Sequence, residues 1–186
     1  MDYMNAVDQV YHISEIFFSS RKKLYREAVK VQLRALRQGG KILVFGNGGS
    51  ASQSQHYAAE LVNTFLEERA AIPAVSLTTD TSALTSIAND RGHAEVFARQ
   101  AEALGKPGDA AVALSTSGNS ESVIKAVRVC AERGIATVAL TGEGGGRLAE
   151  YPDVLLDVPS KSTPRIQEVH LLLLHLMAEE IEKAFL

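Results

Sequence analysis

The sequence predicts a doubly wound α/β fold built on a five-stranded parallel sheet. Two observations carry this. Five short apolar runs, KILVF, PAVSL, DAAVAL, IATVAL and DVLLDV, recur along 186 residues, and longer helix-periodic stretches separate most of them. Strands alternating with helices build parallel βαβ units with right-handed crossovers. The length, with 46% hydrophobic and 22% charged residues, suits one sizeable core. The whole chain, 1–186, is therefore expected to form a single domain, with residues 1–40 as a helical arm.

From Asp2 to Arg37 apolar residues recur at three and four spacing (Val7, Val10, Tyr11, then Leu24, Ala28, Val31, Ala35), which predicts one or two amphipathic helices stopped by Gly39-Gly40. The predicted strands follow at Lys41 to Phe45, Pro73 to Leu77, Ala110 to Leu114, Ile135 to Leu140 and Asp153 to Val158. From Thr163 to Leu186 the pattern is helical again and very apolar on one face. In the flavodoxin-like order 2-1-3-4-5 the winding reverses between the first and third strands, and ligands bind in that crevice. Those two strands are followed by the two unusual turns of the chain, GNGGSAS and STSGNSES.

Composition narrows the function classes. A formal net charge of −3 argues against a nucleic-acid binder of the electrostatic kind. The single cysteine, Cys130, sits in the helical VRVCAERG, where a buried thiol is expected; with no disulfide framework the chain suits the cytoplasm. The N-terminus shows no apolar signal region. The densest apolar run, HLLLLHLMA, is too short to span a bilayer and is broken by His175, so no membrane association is expected.

In GNGGSAS, Gly46, Gly48 and Gly49 permit close backbone approaches, and Ser50 is placed to cap the following helix. The same residues spell the dinucleotide fingerprint. A ribose-binding carboxylate is missing at the right place: Glu67 and Glu68 precede the second strand, and Asp80 lies too far beyond it. In STSGNSES, Ser115, Thr116, Ser117 and Ser120 bring hydroxyls to a helix N-terminus, where the dipole favours an anion by about 0.3 to 2 kcal/mol. A capped helix start with surplus serines is the alternative. Neither turn holds Lys or Arg, so neutral donors would hold the anion, with Lys161, Arg165 and Arg91 as possible sources of charge from elsewhere.

His56 and Glu60 lie four apart on the helix after GNGGS, hence on one face. Such a pair can be half of a metal site or a carboxylate that fixes a histidine tautomer. The C-terminal helix adds Gln167, Glu168, His170 and His175. Gln167 and His175 are eight apart, about 12 Å of rise and about 80° of rotation. Long reach or two subunits would be needed for both to bind one ion.

FGNGGSASQSQHYAAEL, TSIANDRG, VFARQAEALGKPGD, ALSTSGNSESVIKA, VALTGEGGGRLAE and TPRIQEVHLLLLH together resemble the SIS-domain phosphoheptose isomerases, from about Gly40 to the C-terminus. The resemblance implies an aldose-ketose isomerase that converts sedoheptulose 7-phosphate to D-glycero-D-manno-heptose 7-phosphate, the first step of ADP-heptose supply for lipopolysaccharide core. By the same resemblance Asn47, Gly48, Gly49, Glu60, Asn89, Asp90, Ser115, Thr116, Ser117, Ser120 and Gln167 match substrate-binding positions. His56, Glu60, Gln167 and His175 match a zinc site with one Zn2+ per subunit, and Glu60 and His175 the acid-base pair. A homotetramer with sites at subunit interfaces is also implied. Where members carry Gly-Arg after Glu-Leu-x, this chain reads Asn63-Thr64. A non-catalytic SIS relative that binds the bacterial replication initiator has similar glycine and serine turns but lacks the histidine matching His175.

Overall fold

A computed structural model of the chain describes residues 3–186. The expected helical arm is one continuous helix, α1 (Tyr3–Arg37); the predicted start at Asp2 lies outside the described residues. Five parallel strands follow, β1 (Ile42–Gly46), β2 (Ala74–Ser76), β3 (Ala110–Ser115), β4 (Ala136–Thr141) and β5 (Val154–Asp157). Between and after them run α2 (Gly49–Val62), α3 (Thr81–Arg91), α4 (Ala98–Leu104), α5 (Glu121–Glu132) and α6 (Thr163–Lys183). The strand order is β2-β1-β3-β4-β5, the order the sequence predicts.

Strand bounds differ from the predicted ones by no more than one residue at either end, and the register explains the shift at the carboxyl ends of three strands. Gly46 pairs with Leu114 and Ser115 with Thr141, so three strands run one residue past their last apolar side chain. The C-terminal helix stops at Lys183, three residues short of the expected end.

Alternation along the strands splits the core into two layers. Ile42, Val44, Val112, Leu114, Val138 and Leu140 face α1, α2 and α6, meeting Phe17, Tyr57, Leu61, Val169, Leu173 and Met177. Leu43, Phe45, Ala111, Ala113 and Ala139 face the other way, against Phe97, Ala101, Val123, Val127 and Cys130 of the helices around α4 and α5. Small alanines on that face let α5 sit close to the sheet. Cys130 is buried, and burial pushes its thiol pKa up to about 12.

One buried polar contact fixes the helix that carries His56. The Tyr57 hydroxyl donates to Gln32 Oε1 at 2.6 Å, and Gln32 Nε2 donates to Ala28 O at 3.1 Å. Tyr57 and Gln32 are fully buried, so α2 is locked to α1 through a satisfied hydrogen bond rather than by apolar contact alone.

Candidate active site

The turns after β1 and β3 meet over the carboxyl edge of the sheet. Asn47 joins them: its Nδ2 donates to Ser120 Oγ at 2.7 Å and to Ser122 Oγ at 2.9 Å. Both serine oxygens accept from Asn47 and lie 3.4 Å from each other; Ser120 lines the cavity, where its hydroxyl can turn to a ligand, while Ser122 is buried. Between the turns lies a cavity of about 340 Å³ lined by Asn47, Gly48, Gly49, Ser50, Ser115, Thr116, Ser117, Ser120, Thr163 and Gln167.

Three helices begin at this cavity. Gly49 and Ser50 open α2, Ser120 precedes α5, and Thr163 opens α6. The first N–H groups of each helix lack intrahelical partners, and three dipoles directed at one volume favour negative charge there. Thr163 and the α6 N-terminus are absent from the sequence-based set. The signal for them is Thr163-Pro164, a helix start with proline in its first turn.

Two glycines shape the walls. A Cβ on Gly49 would stand 2.5 Å from Gln167 Nε2, so the bare backbone lets the Gln167 amide into the cavity. Gly118, at φ +63°, rests against the Gly145 carbonyl so tightly that no side chain fits between the turns after β3 and β4. Ser50 does not cap α2 as expected. Gly48 occupies the cap position, with no side-chain cap bond, and Ser50 is buried one residue inside the helix. The chain turns into the helix earlier than the serine, because the glycines allow it.

No cation lines the cavity among the described residues. Lys161 is exposed and paired with Glu143 at 3.4 Å. Arg165 turns to α1, donating to Ala6 O at 2.9 Å and to Glu168 Oε1 at 2.8 Å. Arg91 is exposed at the end of α3. Asn89 and Asp90 also lie on exposed α3, hydrogen-bonded to each other at 2.8 Å and outside the cavity lining.

Farther along α2 and α6 a second group assembles. His56 Nε2 lies 2.7 Å from His175 Nε2 and 3.2 Å from Glu60 Oε1. At 2.7 Å one ring donates to the other or both face a shared cation. The ligand atoms of His56, Glu60 and His175 all lie within 4.8 Å of one another, and two imidazoles with a carboxylate are a donor set that suits zinc and leaves a coordination position open. Gln167 lines the serine-glycine cavity, eight residues and about 12 Å of helix rise from His175. Phe65, from the loop after α2, stacks on His175 with ring centroids 5.5 Å apart. Nothing in the sequence pattern points to it.

A family model for the SIS domain matches residues 3–142. The phosphoheptose isomerase of Thermodesulfovibrio yellowstonii is 45% identical over 177 residues, covering 95% of this chain and 88% of that protein. The phosphoheptose isomerase of Helicobacter pylori strain P12 is 48% identical over 166 residues, covering 89% and 86%. The solved phosphoheptose isomerase of Neisseria gonorrhoeae superposes with a TM-score of 0.91 at 42% identity, covering 97% of each chain.

Proposed function

The chain belongs to the SIS domain family, among its phosphoheptose isomerases, and on that footing we propose that it converts sedoheptulose 7-phosphate to D-glycero-D-manno-heptose 7-phosphate. The observation that carries the reading is one of placement. A cation-free cradle of hydroxyls and helix N-termini and a His-Glu-His cluster share the helices α2 and α6. One end suits a phosphate and the other suits proton transfer.

The phosphate sits among Ser115, Thr116, Ser117 and Ser120, where hydroxyl and backbone donors replace its water. It is remote from the reacting carbons and contributes positioning rather than chemistry. At the sugar's other end Glu60 removes a proton from C1 while O2 gains one, giving the enediol. Return of the proton to C2 with loss of one from O1 completes the aldose, with no net change of atoms. His175 serves the two oxygens, and Glu60 serves the carbons. His56, Glu60 and His175, joined by a Gln167 brought to them by assembly, would hold one Zn2+ per subunit, which would supply Lewis-acid polarisation of the carbonyl. Asn47, Gly48, Gly49, Asn89, Asp90 and Gln167 complete the proposed substrate set.

The assembly we propose is a homotetramer formed through the terminal helices, working in the cytoplasm at the entry to ADP-heptose supply for lipopolysaccharide. Support for the assembly is the apolar groove between α1 and α6, about 530 Å³, bordered by Val7, Tyr11 and Leu172. Assembly also offers a route to bring Asn89 and Asp90, or a second Gln167, to the cluster. No helix among the described residues is long and apolar enough to cross a membrane.

Incubation of the purified protein with sedoheptulose 7-phosphate and zinc tests the reading. We expect aldose product from the wild type and a loss of at least about 100-fold in kcat for Glu60→Gln and His175→Ala. No product, or full activity in both variants, contradicts it. An initiator-binding role without catalysis predicts the first of those failures.

A further inference from the structure

The loop between α2 and β2 has no regular secondary structure, yet it presents Phe65 face-on to His175, with ring planes 29° apart. What fixes the loop is Glu182, two turns beyond His175 on α6. Its carboxylate accepts the N–H groups of Phe65 at 3.0 Å, Leu66 at 2.8 Å and Glu67 at 3.1 Å, a concave run of donors wrapped round one anion. Arg69 Nε lies 3.2 Å from the same carboxylate. The Arg69 guanidinium then closes the end of α2, donating to Glu60 O at 2.7 Å, Leu61 O at 2.9 Å and Asn63 O at 3.1 Å. The two side chains are 1% and 2% exposed.

A buried ion pair of this kind contributes little net stability, because desolvation of both charges offsets their attraction. Its effect here is geometric. One end holds the backbone of Glu60, and the other holds the ring that packs on His175. His175 makes no hydrogen bond through Nδ1 among the described residues, so the usual device for orienting a ligating or acid-base imidazole, a partner on its second nitrogen, is replaced by a stacked aromatic face.

We propose that Phe65, seated by the Glu182–Arg69 pair, is a positioning residue that fixes the His175 ring so that its Nε2 converges with His56 and Glu60. Phe65 acts through His175 and needs no contact with substrate. The inference rests on the reading of that cluster as a metal-holding, proton-transferring group.

Cobalt(II) titration of the full-length protein, followed by its visible absorption and by chelator competition, tests it alongside kinetics on sedoheptulose 7-phosphate. Phe65→Ala is expected to raise the cobalt Kd by about tenfold or more. It should also lower kcat while leaving KM for the sugar unchanged. Phe65→Tyr, which keeps the stacked face, should restore both values. Glu182→Gln should move the same parameters in the same direction and add little to Phe65→Ala in the double variant. Should Glu182→Gln fail to fold, the two Phe65 variants decide. A folded Phe65→Ala with wild-type cobalt Kd and wild-type kcat overturns the proposal. A wild type that binds no cobalt overturns the metal reading instead, and the kcat of Phe65→Ala then decides the positioning role by itself.

Discussion

His170 is the residue whose environment makes the sharpest solution prediction. It is fully buried on α6, and its Nε2 donates to Thr141 O at 3.0 Å while its Nδ1 has no partner among the described residues. Burial pushes the imidazole pKa down to about 4, against a smaller upward pull from the Thr141 carbonyl. The folded protein thus keeps His170 neutral at pH values where the unfolded chain, near 6.5, takes up a proton. Its contribution to stability is complete above about pH 6.5 and is lost as pH falls toward 4. The gap between 6.5 and about 4 corresponds to roughly 3 kcal/mol. Urea midpoints measured from pH 7 to pH 4 should fall accordingly, and His170→Gln should flatten that slope; an unchanged slope in the variant contradicts the assignment. Glu182 adds a loss of the same sign lower down. Burial raises its pKa, but the Leu66, Phe65 and Glu67 N–H groups and the Arg69 charge together outweigh it and hold the carboxyl below its ordinary value. Protonation of that carboxyl at low pH releases the loop that seats Phe65. In the sequence, His170 and His175 look alike, two histidines on one apolar helix. Only packing separates them, one sealed under the sheet and the other turned toward His56.

Among the elements, α1 carries the most exposed large apolar side chains. Val7 is 58% and Tyr11 70% exposed on the first half of α1, beside Leu172 of α6, whereas the second half of α1 buries Tyr25, Ala28, Val29 and Leu36 against the sheet. A patch of this kind marks an interaction surface. Light scattering should give four chain masses for the wild type and a lower mass for Tyr11→Asp; a monomeric wild type contradicts the proposed assembly. The strands β1, β3 and β4 were legible as apolar runs because they are buried on both faces; β2 and β5, at the sheet edges, leave alternate positions partly exposed and are shorter than the runs that predict them. The strand ends were not legible, since register with a neighbour, as between Ser115 and Thr141, decides where pairing stops. His56 and Glu60 were legible from helical spacing alone. Arg69 and Glu182 were not, because 113 positions separate them, one in the loop after α2 and the other on α6, and no periodic pattern links them.

At the scale of the molecule, topology and turn chemistry select one place independently. The order β2-β1-β3-β4-β5 puts its reversal between β1 and β3, and the turns after those strands are the ones rich in glycine and serine. Their meeting was readable in advance because both signals are local. On α6 only Gln167 was named in advance, through the family resemblance; Thr163 was not, since it arrives at the cavity only after the last crossover. The cradle that results holds charge without a cation, by three helix N-termini and a set of hydroxyls, so its preference should be for the phosphate itself. Titration calorimetry comparing sedoheptulose 7-phosphate with unphosphorylated sedoheptulose tests that claim most directly. Two or three donated hydrogen bonds to a charged group predict a loss of at least about 100-fold in affinity for the unphosphorylated sugar. Equal affinity for the two sugars would contradict the account.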